Sequence, residues 1–244
     1  MAVEKVDLSD VSTPELLNEL LRRVKAGEKI TNEDGSLPDA LWALVKEYSI
    51  IACVDAIPVR TNDAGEVELG AIVRNTGKYQ GKLAQVGGRM QIGENPQMAL
   101  SRHLKTDLGL DFSYYDQEAG PNKPLYVTSY KPKEKDSDER PEVFADDPTK
   151  HSLAMTFLVT IPKDQEMQFG KGAGGQEAGG FQWFTENQLA QMTEDDFAFE
   201  QRHLFSKAFA EVKRIKAERA GRTERTVQRA SADLVTPPVV SPFF

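Results

Sequence analysis

The chain has 244 residues and carries 38 acidic residues against 30 Lys plus Arg, for a formal net charge of −8. That length fits one domain with appendages and a sizeable core. The acidic balance, with a pI near 5.1, excludes bulk binding to a nucleic-acid backbone, which needs a basic surface, but leaves room for a local arginine cluster around one anionic ligand.

The single cysteine, Cys53, sits in an apolar stretch, so there is no disulfide framework. No apolar run reaches the length of a membrane span, and the N-terminus lacks a basic-then-apolar signal, so a cytoplasmic protein is expected. Residues 1–11 suggest no element. Ser12-Thr13-Pro14-Glu15 reads as a capping box that opens a helix. Leu16, Leu17, Leu20, Leu21 and Val24 form its apolar stripe, and Gly27 closes it. The stripe reads either as packing on the domain or as a dimer contact. A second helix starts near Ser36-Leu37-Pro38-Asp39 and carries Leu41, Trp42, Leu44 and Val45.

Residues 49–59 are β-rich and apolar on both faces, which predicts a central strand. Asp55 interrupts it. A carboxylate there must find partners, either backbone or arginine, or act as a ligand acceptor. Thr61-Asn62-Asp63-Ala64-Gly65 predicts a hairpin turn, and Val67 to Arg74 the return strand. Residues 75–85 read as a loop and short strand leading to Gly87-Gly88, where a tight turn is expected.

Asn95 is suited to cap a helix, Pro96 to its first position and Gly109 to its end. Met98, Leu100, Leu104 and Leu108 supply the apolar stripe of that helix. His103, Thr106 and Asp107 lie at i, i+3 and i+4, and so share a polar face. Beyond it, residues 125–130 and 153–161 predict strands. The charged stretch 131–150 and the Gly-rich stretch 170–180 predict loops; the latter lacks a Gly-Lys-Ser/Thr ending and is not a P-loop. Phe181 to Phe184 reads as a short strand, followed by a helix capped by Thr185. A last helix runs from Phe197 to about Ala220, and from Gly221 the composition predicts disorder or a docking tail. The resulting division is an N-terminal helical extension (1–36), a main domain (37–220) and a C-terminal tail (221–244).

The stretch around the glycine pair resembles the Nudix box: Gly, five residues, Glu, seven residues, Arg-Glu, apolar, any, Glu-Glu, any, Gly, apolar. Gly88, Glu94, Arg102, Leu104, Gly109 and Leu110 fall in register. The three clustered glutamates of that box are here His103, Thr106 and Asp107. The resemblance therefore implies a Nudix-type α/β/α sandwich with a mixed sheet, without the usual cluster of two or three Mg²⁺ ions.

The GDP-mannose mannosyl hydrolase branch departs from the box in a similar way and keeps one carboxylate at the position of Asp107. Arg74 through Arg89 is similar to that branch without a gap, and Phe181-Gln182-Trp183-Phe184-Thr185 resembles its late strand. The likeness spans residues 37–216. It implies a Mg²⁺-dependent hydrolase of a nucleoside-diphosphate sugar, cleaving the anomeric C–O bond, and a homodimer. Asp55 would then bind sugar or nucleoside, and Arg74, Arg89 and Arg102 would meet phosphate oxygens as forked, permanently charged donors. Arg102 has a second reading, pairing with Glu94. Mg²⁺ would be held by the Gly88 turn, Asp107 and Glu177, although Glu177 also reads as a plain loop carboxylate. The branch's late histidine is Ala178 here, so His103 becomes the candidate base, alongside its reading as a helix-surface histidine. Arg89 would assist catalysis. Two other readings stand beside this one: a Nudix pyrophosphatase with altered ligands, and a catalytically silent nucleotide-binding module.

Overall fold

The computed structural model describes residues 13–28, 37–131, 144–162, 164–169 and 178–235. The chain divides into two compact units, Met1–Ser49 and Ile50–Phe244. The first contains α1 (Thr13–Lys25) and α2 (Asp39–Tyr48). Gly27 follows α1 with φ 75°, a conformation that suits a glycine closing a helix.

The second unit is built on one mixed sheet, with nine strands among the described residues. They are β1 (Ile51–Thr61), β2 (Val67–Arg74), β3 (Leu83–Ala84), β4 (Val86–Arg89), β5 (Ser113–Tyr114), β6 (Tyr126–Lys131), β7 (Phe144–Asp146), β8 (Ser152–Thr160) and β9 (Ala178–Thr185). The order is β3-β2-β1-β8-β6-β7, with β4 on β1, β5 on β8 and β9 on β2. β1 runs parallel to β8 from Ile51↔Ser152 to Val59↔Thr160. It pairs with β2 only at its far end, Val59 to Thr61, while Cys53 to Ala56 pair with β4. The stretch Leu83–Arg89 thus crosses from β2 to β1, passing through Gln85.

Side chains alternate across the sheet, and two helices cover its faces. Val54, Ala56, Phe157 and Val159 meet Ala99, Leu100, Leu104 and Leu108 of α3 (Pro96–Leu108). Ile57, Val59, Leu69 and Leu158 point the other way, onto Phe205, Phe209 and Val212 of α5 (Arg202–Val235). Each fully buried Leu or Phe contributes about 1.5–3 kcal/mol, so packing rather than helix propensity holds both helices. A short α4 (Glu186–Gln191) starts at Thr185 with a complete capping box. This is the expected α/β/α sandwich. No helix among the described residues is long and apolar enough to cross a membrane.

Several local expectations change. Gly87 and Gly88 form no turn; they lie in β4, hydrogen-bonded opposite Asp55 and Val54. Their lack of a side chain serves close approach instead: a Cβ at Gly87 would lie 2.1 Å from the Val54 carbonyl oxygen. The bend comes later, at Gly93 (φ 88°). Met98 is 53% exposed and belongs to the outer side of α3. The expected loop 131–150 contains β7, and β9 takes in Gly179 and Gly180. The last helix starts at Arg202 rather than Phe197, because Phe199 and Glu200 both have positive φ, 57° and 55°. It continues to Val235, past the point where composition predicts disorder.

Candidate functional site

Two polar groupings stand on opposite faces of β1 and β4. The first lies on the side of α3. The Asn95 side chain caps the helix by accepting the Met98 N–H at 2.9 Å, and Gly109 ends it at φ 68°. Just before the cap, the Gln91 N–H donates to Glu94 Oε2 at 2.6 Å. Arg102 then clasps Glu94 with two parallel bonds, Nε to Oε1 at 2.6 Å and Nη2 to Oε2 at 2.7 Å. This guanidinium holds the Glu94 carboxyl below the usual glutamate range. Arg102 Nη2 also donates to the Arg89 carbonyl at 2.9 Å. The spacing of Glu94 and Arg102 therefore builds a clamp between α3 and the end of β4.

His103 completes that clamp. Its ring packs on Gly88, where a Cβ would come within 3.0 Å of Cε1. Its Nε2 is 3.1 Å from the Arg89 carbonyl oxygen. A carbonyl only accepts, so Nε2 carries the hydrogen in this contact, whereas Arg102 Nη1, 3.4 Å from the same nitrogen, only donates and is met by the opposite tautomer. Nδ1 is then left facing Asp107 at 3.8 Å, beyond direct hydrogen-bond reach. The Asp107 side chain is 7% exposed.

The second grouping lies on the α5 side. Asp55 Oδ2 accepts from the Tyr130 hydroxyl at 3.2 Å, and Tyr130 Oη accepts from Gln201 Nε2 at 2.5 Å. Gln201 Oε1 accepts the Gln85 backbone N–H at 3.1 Å. The Gln85 side chain receives Thr156 Oγ1 at 3.0 Å and donates to the Tyr126 hydroxyl at 3.0 Å. Asp55, Gln85, Thr156 and Gln201 are all buried. Burial first, and the neighbouring Asp55 charge second, push the Tyr130 hydroxyl well above the usual tyrosine range. Arg74 reaches this region through Phe199: its guanidinium carbon is 5.2 Å from the Phe199 ring centre, which is 5.8 Å from that of Tyr130. Phe199 and Glu200 hold left-handed backbone that costs of order 1–3 kcal/mol per residue, and the turn they make delivers Gln201 into the network.

The predicted site residues thus fall into two sets. Gly88, Arg102, His103, Asp107 and the Arg89 carbonyl come together on the α3 face. Asp55 faces Tyr130 on the other, while Arg74 stacks on Phe199, a ring that itself packs against the α3-side core. Arg89 pairs with Cys53, so its side chain leaves β4 on the Asp55 face. Glu177 lies outside the described residues. Arg102 pairs with Glu94 and the Arg89 carbonyl through Nε and Nη2. Among the described residues no three His, Cys, Asp or Glu side chains gather as a metal site. Burial, then Asp55, pushes the Cys53 thiol up to about 12, so it is no nucleophile at neutral pH. His151 Nε2 contacts Ser129 Oγ at 3.2 Å, and His203 Nδ1 the Glu200 carbonyl at 2.8 Å. Sequence reasoning missed Tyr130, Gln201 and Gln85. The one available signal is the alternation of Tyr126, Thr128 and Tyr130 on one face of a strand.

Residues 35–214 match a family described as a domain of unknown function, DUF4916. No curated protein sequence matches. Among solved structures, a Jonesia denitrificans protein described as a possible asymmetric diadenosine tetraphosphate hydrolase is 26% identical, with a TM-score of 0.52; the match covers 67% of this chain and 94% of that one. The Nudix domain of Shewanella oneidensis NrtR, crystallised with ADP-ribose, is 14% identical with a TM-score of 0.48, covering 72% of this chain and 99% of that one. A MutT/Nudix family protein from Enterococcus faecalis is 16% identical with a TM-score of 0.49, covering 84% and 70%. The architecture is that of the Nudix fold.

Proposed function

The chain belongs to the DUF4916 family, and on that footing we propose that it hydrolyses a nucleoside-diphosphate sugar at the anomeric C–O bond, using Mg²⁺. The observation that carries the reading is the cluster of His103 and Asp107 against Gly88 and the Arg89 carbonyl. The donors there fit one hydrated ion better than a multi-metal centre. Glu94 is committed to Arg102, which leaves Asp107 as the box carboxylate available to a cation that keeps most of its waters. When bound, Mg²⁺ would neutralise charge on the departing diphosphate. Glu177 is proposed as a further ligand on the resemblance alone.

The chain's own residues do the rest. Arg74 and Arg89 pair with phosphate oxygens, and Asp55 accepts a hydroxyl of the sugar or nucleoside. His103 receives the proton of the attacking water at Nδ1, the ring atom not committed to Arg89. The water oxygen bonds to the anomeric carbon, and the C–O electron pair leaves with the nucleoside diphosphate, inverting the centre. Among the described residues β4 pairs with β1 alone, and a ligand lying along its other edge would meet both polar groupings. A homodimer, as the resemblance implies, acting in the cytoplasm, as the sequence composition suggests, completes the proposal.

A second reading is favoured by the Jonesia denitrificans neighbour, whose description names a diadenosine tetraphosphate substrate. In that case the chain would cleave a P–O–P bond. The test is incubation of purified protein with GDP-mannose, UDP-glucose, ADP-ribose and diadenosine tetraphosphate, with and without Mg²⁺. The proposal expects Mg²⁺-dependent release of free sugar. His103→Gln should lower the rate by about 10²–10⁴-fold, the usual contribution of a general base, and Asp107→Asn should remove the response to Mg²⁺. Release of a nucleoside monophosphate would select the second reading, and binding without turnover would leave a nucleotide-binding module.

A further inference from the structure

One edge of β8 is shared by two strands that do not meet. Its pairing with β5 ends at Tyr114↔Val159, and its pairing with β6 starts at Tyr126↔Thr156. A single bond closes each end of the gap. The Tyr115 N–H donates to the Leu158 carbonyl at 3.0 Å, and the Leu125 N–H to the Thr156 carbonyl at 2.7 Å. Between these bonds the chain leaves the sheet and turns through a short 3₁₀ helix, Gly120–Asn122. From α5, Arg219 holds the Tyr115 carbonyl and Arg222 holds Glu118.

The excursion leaves a cavity of about 110 Å³, whose apolar lining includes Tyr114, Leu125, Phe157, Leu158 and Ile215. An engineered apolar cavity of about 150 Å³ holds benzene, so this one is in the size class of a single ring and too small for a nucleotide. The charged side chains of the lining are Asp116, Lys123 and Glu211. Both carboxylates are already committed. Arg214 clasps Glu211 with bonds of 2.7 and 2.6 Å, and Arg219 lies 3.6 Å from Asp116. The Arg214 hydrogen bonds first, and the Lys123 charge to a lesser degree, hold the Glu211 carboxyl below the usual glutamate range. Among the described residues Lys123 forms no ion pair of its own. Tyr114 adds a buried hydroxyl with no hydrogen-bond partner among the described residues. A buried polar group left unpaired is unfavourable. The lining thus has donors to spare, while its carboxylates already accept from arginines.

We propose that this cavity binds a small organic anion, with its carboxylate turned to Lys123 and its apolar ring lodged against Phe157, Leu158 and Ile215. A cation would find both carboxylates neutralised, and a neutral ligand would leave the ammonium unanswered. The cavity shares no residue with the His103–Asp107 cluster or the Asp55 network, and the inference does not rest on the nucleotide-sugar reading.

The test is titration of the ¹⁵N-labelled full chain with benzoate, benzamide and benzylamine, similar in shape and different in charge, followed by amide chemical shifts. Benzoate should bind saturably and about tenfold more tightly than benzamide, the scale of one hydrogen bond to a charged group. Its shifts should centre on residues 114–125, 157–158 and 211–215. Lys123 is exposed, so Lys123→Met should fold normally, and it should bring benzoate to within about twofold of benzamide. Ala119 also lines the cavity, and Ala119→Leu should block benzoate by filling it. Tighter binding of benzylamine would give the site to the carboxylates, and equal binding of all three would leave an apolar cavity without charge recognition. Benzoate shifts centred on Arg74, Arg89 or His103 would place the anion at the candidate active site. Each of these results overturns the proposal, as does a wild type that binds no benzoate. None of them bears on nucleotide-sugar turnover, so the proposed function stands or falls separately.

Discussion

The pair Glu94 and Arg102 shows how much a single contact fixes. Their side chains are 11% and 29% exposed, so water screens them only in part. The bidentate geometry links the loop before α3 to its middle turn and, through the Arg89 carbonyl, to β4. Because the folded carboxyl titrates below the ordinary glutamate value near 4.3, its stabilisation is present above that value and is lost as pH falls through the folded pKa. Glu94→Gln should therefore destabilise the protein by about 1–3 kcal/mol at pH 7. Denaturant melts of the two proteins should converge as pH falls below the ordinary glutamate value and through the lower, folded pKa of Glu94. Gly87 makes the complementary case, where space is the constraint. Gly87→Ala would drive a Cβ toward the Val54 carbonyl and the Asp55 carboxylate and should cost roughly 2–5 kcal/mol from strain and overpacking together. The Glu94–Arg102 pairing is legible in the sequence because both residues belong to one local motif. The partners of Asp55 are not: Tyr130 is 75 positions away, and Gln201 a further 71 from Tyr130. No local pattern encodes that meeting.

At the level of elements, α3 is the part most completely written in its own residues. Its cap, its first proline, its terminal glycine and three of its four expected apolar positions are all found where the pattern puts them. Asn95→Ala should cost about 1 kcal/mol by removing the bond to the Met98 N–H, readable as a drop in the denaturation midpoint. Elements that depend on tertiary contact were less legible. Glycine favours turns on average, yet at 87 and 88 it serves close packing against Val54, Asp55 and His103. The end of α5 looks like a loose tail by composition but is tied down from outside. Arg219 donates to the Tyr115 carbonyl at 2.8 Å, and Arg222 pairs with Glu118 at 2.9 Å. Thr223 and Thr226 bond back to carbonyls one turn earlier, so their hydroxyls do not compete against the helix. Replacing Arg219 and Arg222 by Ala should raise amide hydrogen exchange beyond Ala220 while leaving the amides of Leu204 to Val212 protected. Equal loosening of both halves would mean that the helix is held by its own turns alone.

For the molecule as a whole, the sheet is a partition. One face carries α3 with His103 and Asp107; the other carries α5 with Asp55 and its buried hydrogen-bond chain. β4 is the strand both share, and its two glycines let the machinery of each face approach the backbone. This layout explains why the fold was legible and the chemistry less so. The near-continuous apolar runs along β1 and β8 dictate two covered faces, whereas the choice between C–O and P–O cleavage depends on where a water stands relative to a bound substrate. That choice is the central claim, and isotopic water tests it most directly. Turnover of the accepted nucleotide sugar in H₂¹⁸O, with mass spectrometry of the products, should place ¹⁸O in the released sugar and none in the nucleoside diphosphate. Label in a phosphate product would show attack at phosphorus and contradict the account.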